Sequence, residues 1–350
     1  MACLSLKMSR PLLVQLVFCR IRHTLGGLMI AEQDLLEITK QQLNGGLEPV
    51  SLEPIVKGGS DRRFFRLGFS DDAAPSLILM TYTLARPDNP RFVSATRRLQ
   101  SLGVHVPRVY AHDTNKLCVW LEDLGSVDLY AYKDAPWTER EPLYREALKE
   151  GAKLHRVKVG ELAADDLADM EPAFDEALYL WEQDYFTTHY MRGMRGRQDV
   201  PEEVSAVLQK LRQTLAALPR CLVHRDFQSQ NVIVRDDEAW LIDYQGVRPG
   251  LAGYDLASLL LDPYVSFQET ERQALLDWYA SHEGRDRDTL MSEYHLCAAQ
   301  RLMQALGAYA NLSRNQGKPH FEQHAPVALE RLLAVTSQHP LLQPLARWIA

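Results

Sequence analysis

The chain lacks the marks of several large function classes. Its five cysteines, Cys3, Cys19, Cys118, Cys221 and Cys297, lie far apart, form no CxxC pair and are odd in number. This argues against a disulfide framework or a zinc centre and suits a reducing cytoplasm. Positive charge is not in excess: 39 Lys and Arg stand against 46 Asp and Glu, for a net charge of −7. With no basic stripe to neutralise phosphates, a nucleic-acid partner is not expected. Internal repeats and low-complexity tracts are missing too. A chain of 350 residues, 46% hydrophobic, is then an ordinary globular protein, long enough for two lobes with cores of their own.

The first 28 residues stand apart. The apolar run from Pro11 to Cys19 is too short to cross a bilayer. Arg20, Arg22 and His23 follow it, where a signal peptide would carry a small-residue cleavage site. The segment is expected to carry no function, and no membrane partner is expected. Met29 offers an alternative start, because "MIAEQDLLEITKQQL" opens a helix.

From Ala31 to Leu43 the apolar residues approach helical spacing, and "NGG" at 44–46 stops the run. "PIVKGGSDRRFFRLGF" and "SLILMTYT" read as strands joined by turns. A helix is expected after Pro90, ending at Gly103, and then two more strands, "VPRVYAHD" and "KLCVWLEDLG". Beyond "EDLG" the texture becomes helical, over 139–158, 174–192, 202–218, 270–282, 288–312 and 321–335. The clear strands there are short, around "LVH", "NVIV" and "AWLID". The expected class is α+β with two lobes. A small β-rich lobe spans 29–121, a larger helical lobe spans 122–350, and a ligand cleft lies between them.

Within the helical lobe, "LVHRDFQSQNVIV" (222–234) and "LIDYQG" (241–246) carry the chemistry. Asp226 and Asp243 are carboxylates at strand-to-loop junctions, and Asn231 adds a neutral carbonyl oxygen. Magnesium prefers such hard oxygens, completed by water and substrate phosphates. One acid and one amide on a metal, with a second acid beside a hydroxyl, suffice for phosphoryl transfer. The spacing His224-x-Asp226-x4-Asn231, followed by an apolar strand ending in Asp243, is that of a kinase catalytic loop. His224 is expected to brace the loop.

"HRDFQSQN", "LIDYQG" and "GYDLASLL" together resemble the aminoglycoside phosphotransferase-like kinases, a branch of the protein-kinase-like fold. "GGSDRRFFRL", "VHVPRVY", "LEDLG" and "QRLMQALGAYANLSRNQGKPHF" are similar to bacterial anomeric sugar kinases, which phosphorylate N-acetylmuramate and N-acetylglucosamine in cell-wall recycling. The resemblance spans roughly residues 32–336. It implies that Asp226 is the catalytic base, that Asn231 and Asp243 hold magnesium, and that ATP is the donor. For Asp255, in "GYDLA", it implies a brace on the loop; a plain acid at a helix N-terminus is the other reading.

Two departures stand out. Met80 occupies the third-strand position where such kinases carry a lysine, and the following helix "FVSATRRLQSLG" lacks the partner glutamate. Arg62, Arg63 and Arg66 are the substitutes to consider for nucleotide phosphates, since a guanidinium binds phosphate bidentately. Strand alternation places Arg62 and Arg66 on one face and Arg63 on the other. Gly59 and Ser60 are candidates for a short phosphate turn, and Glu122 and Leu124 for main-chain contacts to adenine. On the acceptor side, Glu182 and Gln228 are the candidates for sugar hydroxyls, and Trp181, Tyr185 and Phe186 read as core. Arg225, Arg301 and Lys318 are open choices for an acceptor carboxylate. An aminoglycoside kinase and a nucleotide-binding scaffold are the alternatives. The first would want many free acids, for which "ELAADDLADMEP" (161–172) is the nearest stretch; the second draws on the missing lysine.

Overall fold

A computed structural model describes residues 32–43, 48–55, 62–71 and 73–350. Residues 1–28, Gly59 and Ser60 lie outside the described residues. The described residues open with helix α1 (Glu32–Gln42) and strands β1 (Pro49–Ile55), β2 (Arg63–Phe69) and β3 (Leu77–Thr81). Helix α2 (Phe92–Ser101) precedes β4 (Val109–Asp113) and β5 (Cys118–Glu122). The five strands form one antiparallel sheet in the order β1-β2-β3-β5-β4.

Side chains alternate across this sheet, as the period of two requires. Phe65, Leu67, Leu77, Leu79, Cys118 and Trp120 pack on one face with Leu35 of α1. Met80, Val119 and Leu121 point to the other face and join Phe92, Val93 and Leu99 of α2. That second cluster runs on into the helical lobe, so the two lobes share a core on the α2 side.

The larger lobe holds α3 (Trp137–His155), α4 (Ala164–Ala168), α5 (Glu176–Tyr185) and α6 (Glu202–Ala217). The short strands β6 (Cys221–Val223), β7 (Val232–Arg235), β8 (Glu238–Leu241) and β9 (Arg248–Gly250) pair as β6–β9 and β7–β8. Then come α7 (Ala252–Leu260), α8 (Glu269–His282), the 29-residue α9 (Arg287–Asn315), α10 (Ala325–Gln338) and α11 (Gln343–Ile349). The two-lobed α+β architecture expected from the sequence is the one observed.

One expected element differs. The segment 174–192 is not a single α-helix: after Tyr185 it passes into a π-helical turn, Phe186–Arg192. The wider turn brings Phe186, Thr187, Tyr190 and Met191 into the interior together. Gly307 of α9 crosses at this point, and a Cβ there would come within 3.0 Å of the Phe186 nitrogen. The helix α11 was not read from the sequence. Its Leu345, Trp348 and Ile349 are buried, and Trp348 meets Phe186 edge-on.

Helix α1 is fastened to the sheet by a polar relay inside the apolar layer. Trp120 Nε1 donates to Thr39 Oγ1 at 3.0 Å, and Thr39 Oγ1 donates to the Leu35 carbonyl at 2.7 Å. Thr39→Val strands the buried indole N–H, and such a loss costs about 2 kcal/mol. The urea unfolding midpoint of Thr39→Val is therefore expected to fall; an unchanged midpoint would show that the relay does not fasten the helix.

Candidate active site

The catalytic loop leaves β6 with an unusual backbone. Arg225 has φ +79°, a left-handed conformation that a side chain makes costly. Asp255, fully buried in the first turn of α7, holds that turn. Its Oδ2 accepts from the His224 N–H at 2.6 Å and its Oδ1 from the Arg225 N–H at 2.9 Å. His155 Nε2 lies 3.2 Å from the same carboxylate, and His155 Nδ1 is 2.8 Å from the Tyr279 hydroxyl. The bracing reading of Asp255 describes these contacts. His224 itself is buried, its Nε2 3.0 Å from the Ile242 carbonyl.

The next residues close a tight loop. Gln228 N–H and Asn231 Nδ2 both donate to the Asp226 carbonyl, at 2.9 and 2.8 Å. Ser229 donates from N and Oγ to Asp262 Oδ2, at 2.9 and 2.5 Å. Ile242 N–H donates to the Asn231 carbonyl at 3.0 Å, which sets Asn231 next to Asp243. Asp243 is itself left-handed, with φ +60°. Its Oδ1 accepts from Arg62 Nη2 at 2.9 Å and from Gln245 Nε2 at 3.1 Å.

Asp226 keeps 27% of its side chain exposed. Arg225 Nη1 donates to its Oδ2, which leaves Oδ1 to meet a hydroxyl. Burial raises the pKa of this carboxyl, but the charges of Arg225, Arg301 and His224 more than offset it and hold it below the ordinary carboxylate value. The donor set beside it fits magnesium. The Asn231 amide nitrogen is spent on the Asp226 carbonyl, so its Oδ1 is the atom left as acceptor. Asn231 and Asp243 then offer two hard oxygens, with the remaining positions left to phosphate and water.

Arg62, just before β2, and Arg63 and Arg66 within it part company. Arg63 faces α1, over the Phe65 ring at 4.7 Å and 3.9 Å from Glu32. Arg66 donates to Asp123 from Nε at 2.6 Å and from Nη2 at 3.2 Å, and Ser76 Oγ and Gly125 N–H bond the same carboxylate. Its guanidinium is thus spent on the hinge, not on an open phosphate site. Burial raises the Asp123 pKa; Arg66, Ser76 and Gly125 bring it below the ordinary value. Of the three, Arg62 reaches Asp243. Met80 is buried in the core.

Other expected residues settle as follows. Glu122 turns its carboxylate to Arg235 at 2.8 Å and to the Arg108 N–H at 3.2 Å, so any contact to a base there is made by main chain. Leu124 is buried. Gln228 is half-buried in the loop beside Asp226. Glu182 is not open to an acceptor. It is 2% exposed, with Oε1 taken by the Tyr254 hydroxyl at 2.8 Å and Oε2 by Gln300 at 2.9 Å. Burial raises its pKa, against the pull of those bonds and of Arg225 and Arg301. It therefore backs the loop arginine and does not line the cleft.

A model described as the phosphotransferase enzyme family matches residues 51–290. The chain belongs to that family. The N-acetylmuramate/N-acetylglucosamine kinase of Pseudomonas aeruginosa is 27% identical, over 87% of this chain and 90% of its own length. The enzyme of that name from Pseudomonas putida is 24% identical, over 91% and 93%. Among solved structures, the ADP-bound aminoglycoside phosphotransferase APH(2'')-Ib superposes with a TM-score of 0.57 at 14% identity, covering 86% of this chain and 98% of that one. A choline/ethanolamine kinase family protein from Mesorhizobium loti gives 0.58 at 17% identity, covering 86% and 92%. The fold is therefore the protein-kinase-like one of those phosphotransferases, and the chain is a small-molecule kinase with a hydroxyl acceptor.

Several site residues of this phosphotransferase were not found by sequence reasoning. Asp123 sits in "LEDLG", a stretch read for its main chain. Asp262 and Arg248 carry no motif. Thr96 of α2 carries no motif either: its Oγ1 lies 2.8 Å from the hydroxyl of Tyr244, the residue after Asp243, whose ring stacks on Phe92.

Asp255→Ala removes the acceptor for two buried N–H groups. A loss of about 3 kcal/mol in unfolding free energy is expected by denaturant titration; full stability would contradict the brace. Arg225→Met withdraws a positive charge from Asp226, so the base pKa rises and more of it is protonated at a given acidic pH. The acid limb of kcat/KM is expected to move to higher pH. An unmoved limb would separate Arg225 from the base.

Proposed function

We propose that the chain is an ATP-dependent kinase of amino sugars that phosphorylates the anomeric hydroxyl of an N-acetylmuramate- or N-acetylglucosamine-like acceptor. The reaction would use magnesium, run in the cytoplasm and serve cell-wall sugar recycling. The observation that carries this reading is the charge around Asp226. Arg225 and Arg301 both act on its carboxylate, and Arg248 lies close enough to Arg225 for the two charges to oppose each other. An acceptor bearing several ammonium groups meets repulsion here; a neutral or carboxylate-bearing sugar does not. Three acids of the stretch 161–172 are engaged by arginines, which lessens what it offers a polycation. Its Asp166 and Asp169 lie 3.4 and 3.5 Å from Arg98, and Glu171 is shared by Arg91 and Arg248 at 2.9 and 3.4 Å. The named relatives support the same acceptor class.

In this reading Asp226 Oδ1 takes the acceptor hydroxyl proton as the oxygen attacks the terminal phosphorus. A base held below the ordinary carboxylate range is weak, and it suits a hydroxyl more acidic than a simple alcohol. The anomeric hydroxyl of a free sugar is such a group. Asn231 and Asp243 would hold magnesium, which supplies neutralisation of the phosphate charge. Arg225 holds Oδ2 of the base so that one oxygen is presented. The main chain at 122–124 receives the adenine.

The test is ADP release by the wild type and by Asp226→Asn with N-acetylmuramate, N-acetylglucosamine or kanamycin. Turnover is expected with an N-acetyl sugar and not with kanamycin, and the variant should lose on the order of 10²–10⁴-fold. Transfer to kanamycin alone, or full activity in the variant, would remove the reading.

A further inference from the structure

Arg62 connects the two lobes at the point where the metal is assigned. It lies just before β2, on the same face of the sheet as Phe64, and Phe64 pairs with Met80 across the β2–β3 ladder. Its side chain is 3% exposed, and its Nη2 sits 2.9 Å from Asp243 Oδ1. A guanidinium so withdrawn from water needs its carboxylate partner. Asp243 keeps 41% of its side chain exposed and also accepts from Gln245. The buried member of the pair is the cation, just before β2.

A guanidinium and a divalent ion cannot both be served by Asp243 without repelling each other. Phosphate oxygens arriving with the ion are a better match for the guanidinium, because they accept bidentate hydrogen bonds. Met80 leaves the sheet without a cation at its own position, and Arg63 and Arg66 are turned to Glu32 and Asp123. Of Arg62, Arg63 and Arg66, Arg62 is thus the one that meets Asp243.

Resting on the assignment of Asp243 as a metal ligand, we propose that Arg62 is an exchange residue. With the cleft empty it latches the lobes through Asp243. On entry of the metal–nucleotide it releases Asp243 and turns its guanidinium to the nucleotide phosphates. The latch makes metal binding without nucleotide unfavourable and couples the two binding events.

The test uses the full chain and two binding measurements that need no turnover. Free Mn²⁺ is titrated by electron paramagnetic resonance in the absence of nucleotide, and metal-free ATP binding is followed by calorimetry in chelator. Arg62→Gln is expected to bind Mn²⁺ about fivefold more tightly, since the competing cation is gone, and to bind ATP about tenfold more weakly. Arg62→Lys should move both values part of the way back. Mn²⁺ affinity unchanged or weakened in Arg62→Gln, with Asp243→Ala abolishing Mn²⁺ binding, would overturn the exchange alone. Mn²⁺ binding undisturbed by Asp243→Ala would overturn the metal assignment and the exchange with it.

Discussion

The Asp255 carboxylate is the constraint on which the catalytic loop depends. Both its oxygens are committed to consecutive main-chain N–H groups, those of His224 and Arg225. Without them the left-handed Arg225 has nothing to offset its backbone cost. Once Arg225 is set, its guanidinium meets Asp226, and the Asp226 carbonyl gathers Gln228 and Asn231. Asp226 and Asn231 are therefore placed by one buried acid that touches neither. Asp262 repeats the device on Ser229.

A second theme is the use of arginine–carboxylate pairs to join the lobes. Arg66 pins the hinge through Asp123, Arg62 spans the cleft to Asp243, and Arg91 and Arg98 tie α2 and its start to the acidic stretch before α5. The strand lysine and helix glutamate of the general kinase pattern are not present at β3 and α2, and Thr96 of α2 meets Tyr244. Losing the two together is electrostatically consistent, because either charge alone would be stranded in a buried layer that contains Met80, Val119 and Leu121.

Much of this was legible in the sequence. The two-lobed architecture followed from period-two strands giving way to helical periodicity at "EDLG", and Asp226, Asn231 and Asp243 followed from their spacing at strand ends. Strand alternation separated Arg63 from Arg62 and Arg66. What stayed hidden depends on long-range pairing. Arg66 and Asp123 are 57 positions apart and Arg62 and Asp243 are 181 apart, so no local pattern links them. Glu182 looked like a ligand because an acid on an apolar helix is costly; its actual partners, Tyr254 and Gln300, lie on α7 and α9. The π-helical turn after Tyr185 is set by the close approach of Gly307, again a contact from far along the chain.

Acceptor choice follows from the same charges. In the proposed reading, the charges of Arg225, Arg301 and Arg248 near Asp226 suit a neutral or anionic hydroxyl compound, and the lowered carboxyl of Asp226 suits an acidic hydroxyl. The most direct test of this account is a proton-coupled phosphorus NMR spectrum of the product formed from ATP, magnesium and N-acetylmuramate or N-acetylglucosamine. A new phosphate resonance coupled to the anomeric proton is the expected result. A phosphate coupled to any other sugar proton would contradict the match between a weakened base and the anomeric hydroxyl, and no sugar phosphate at all would contradict the acceptor class.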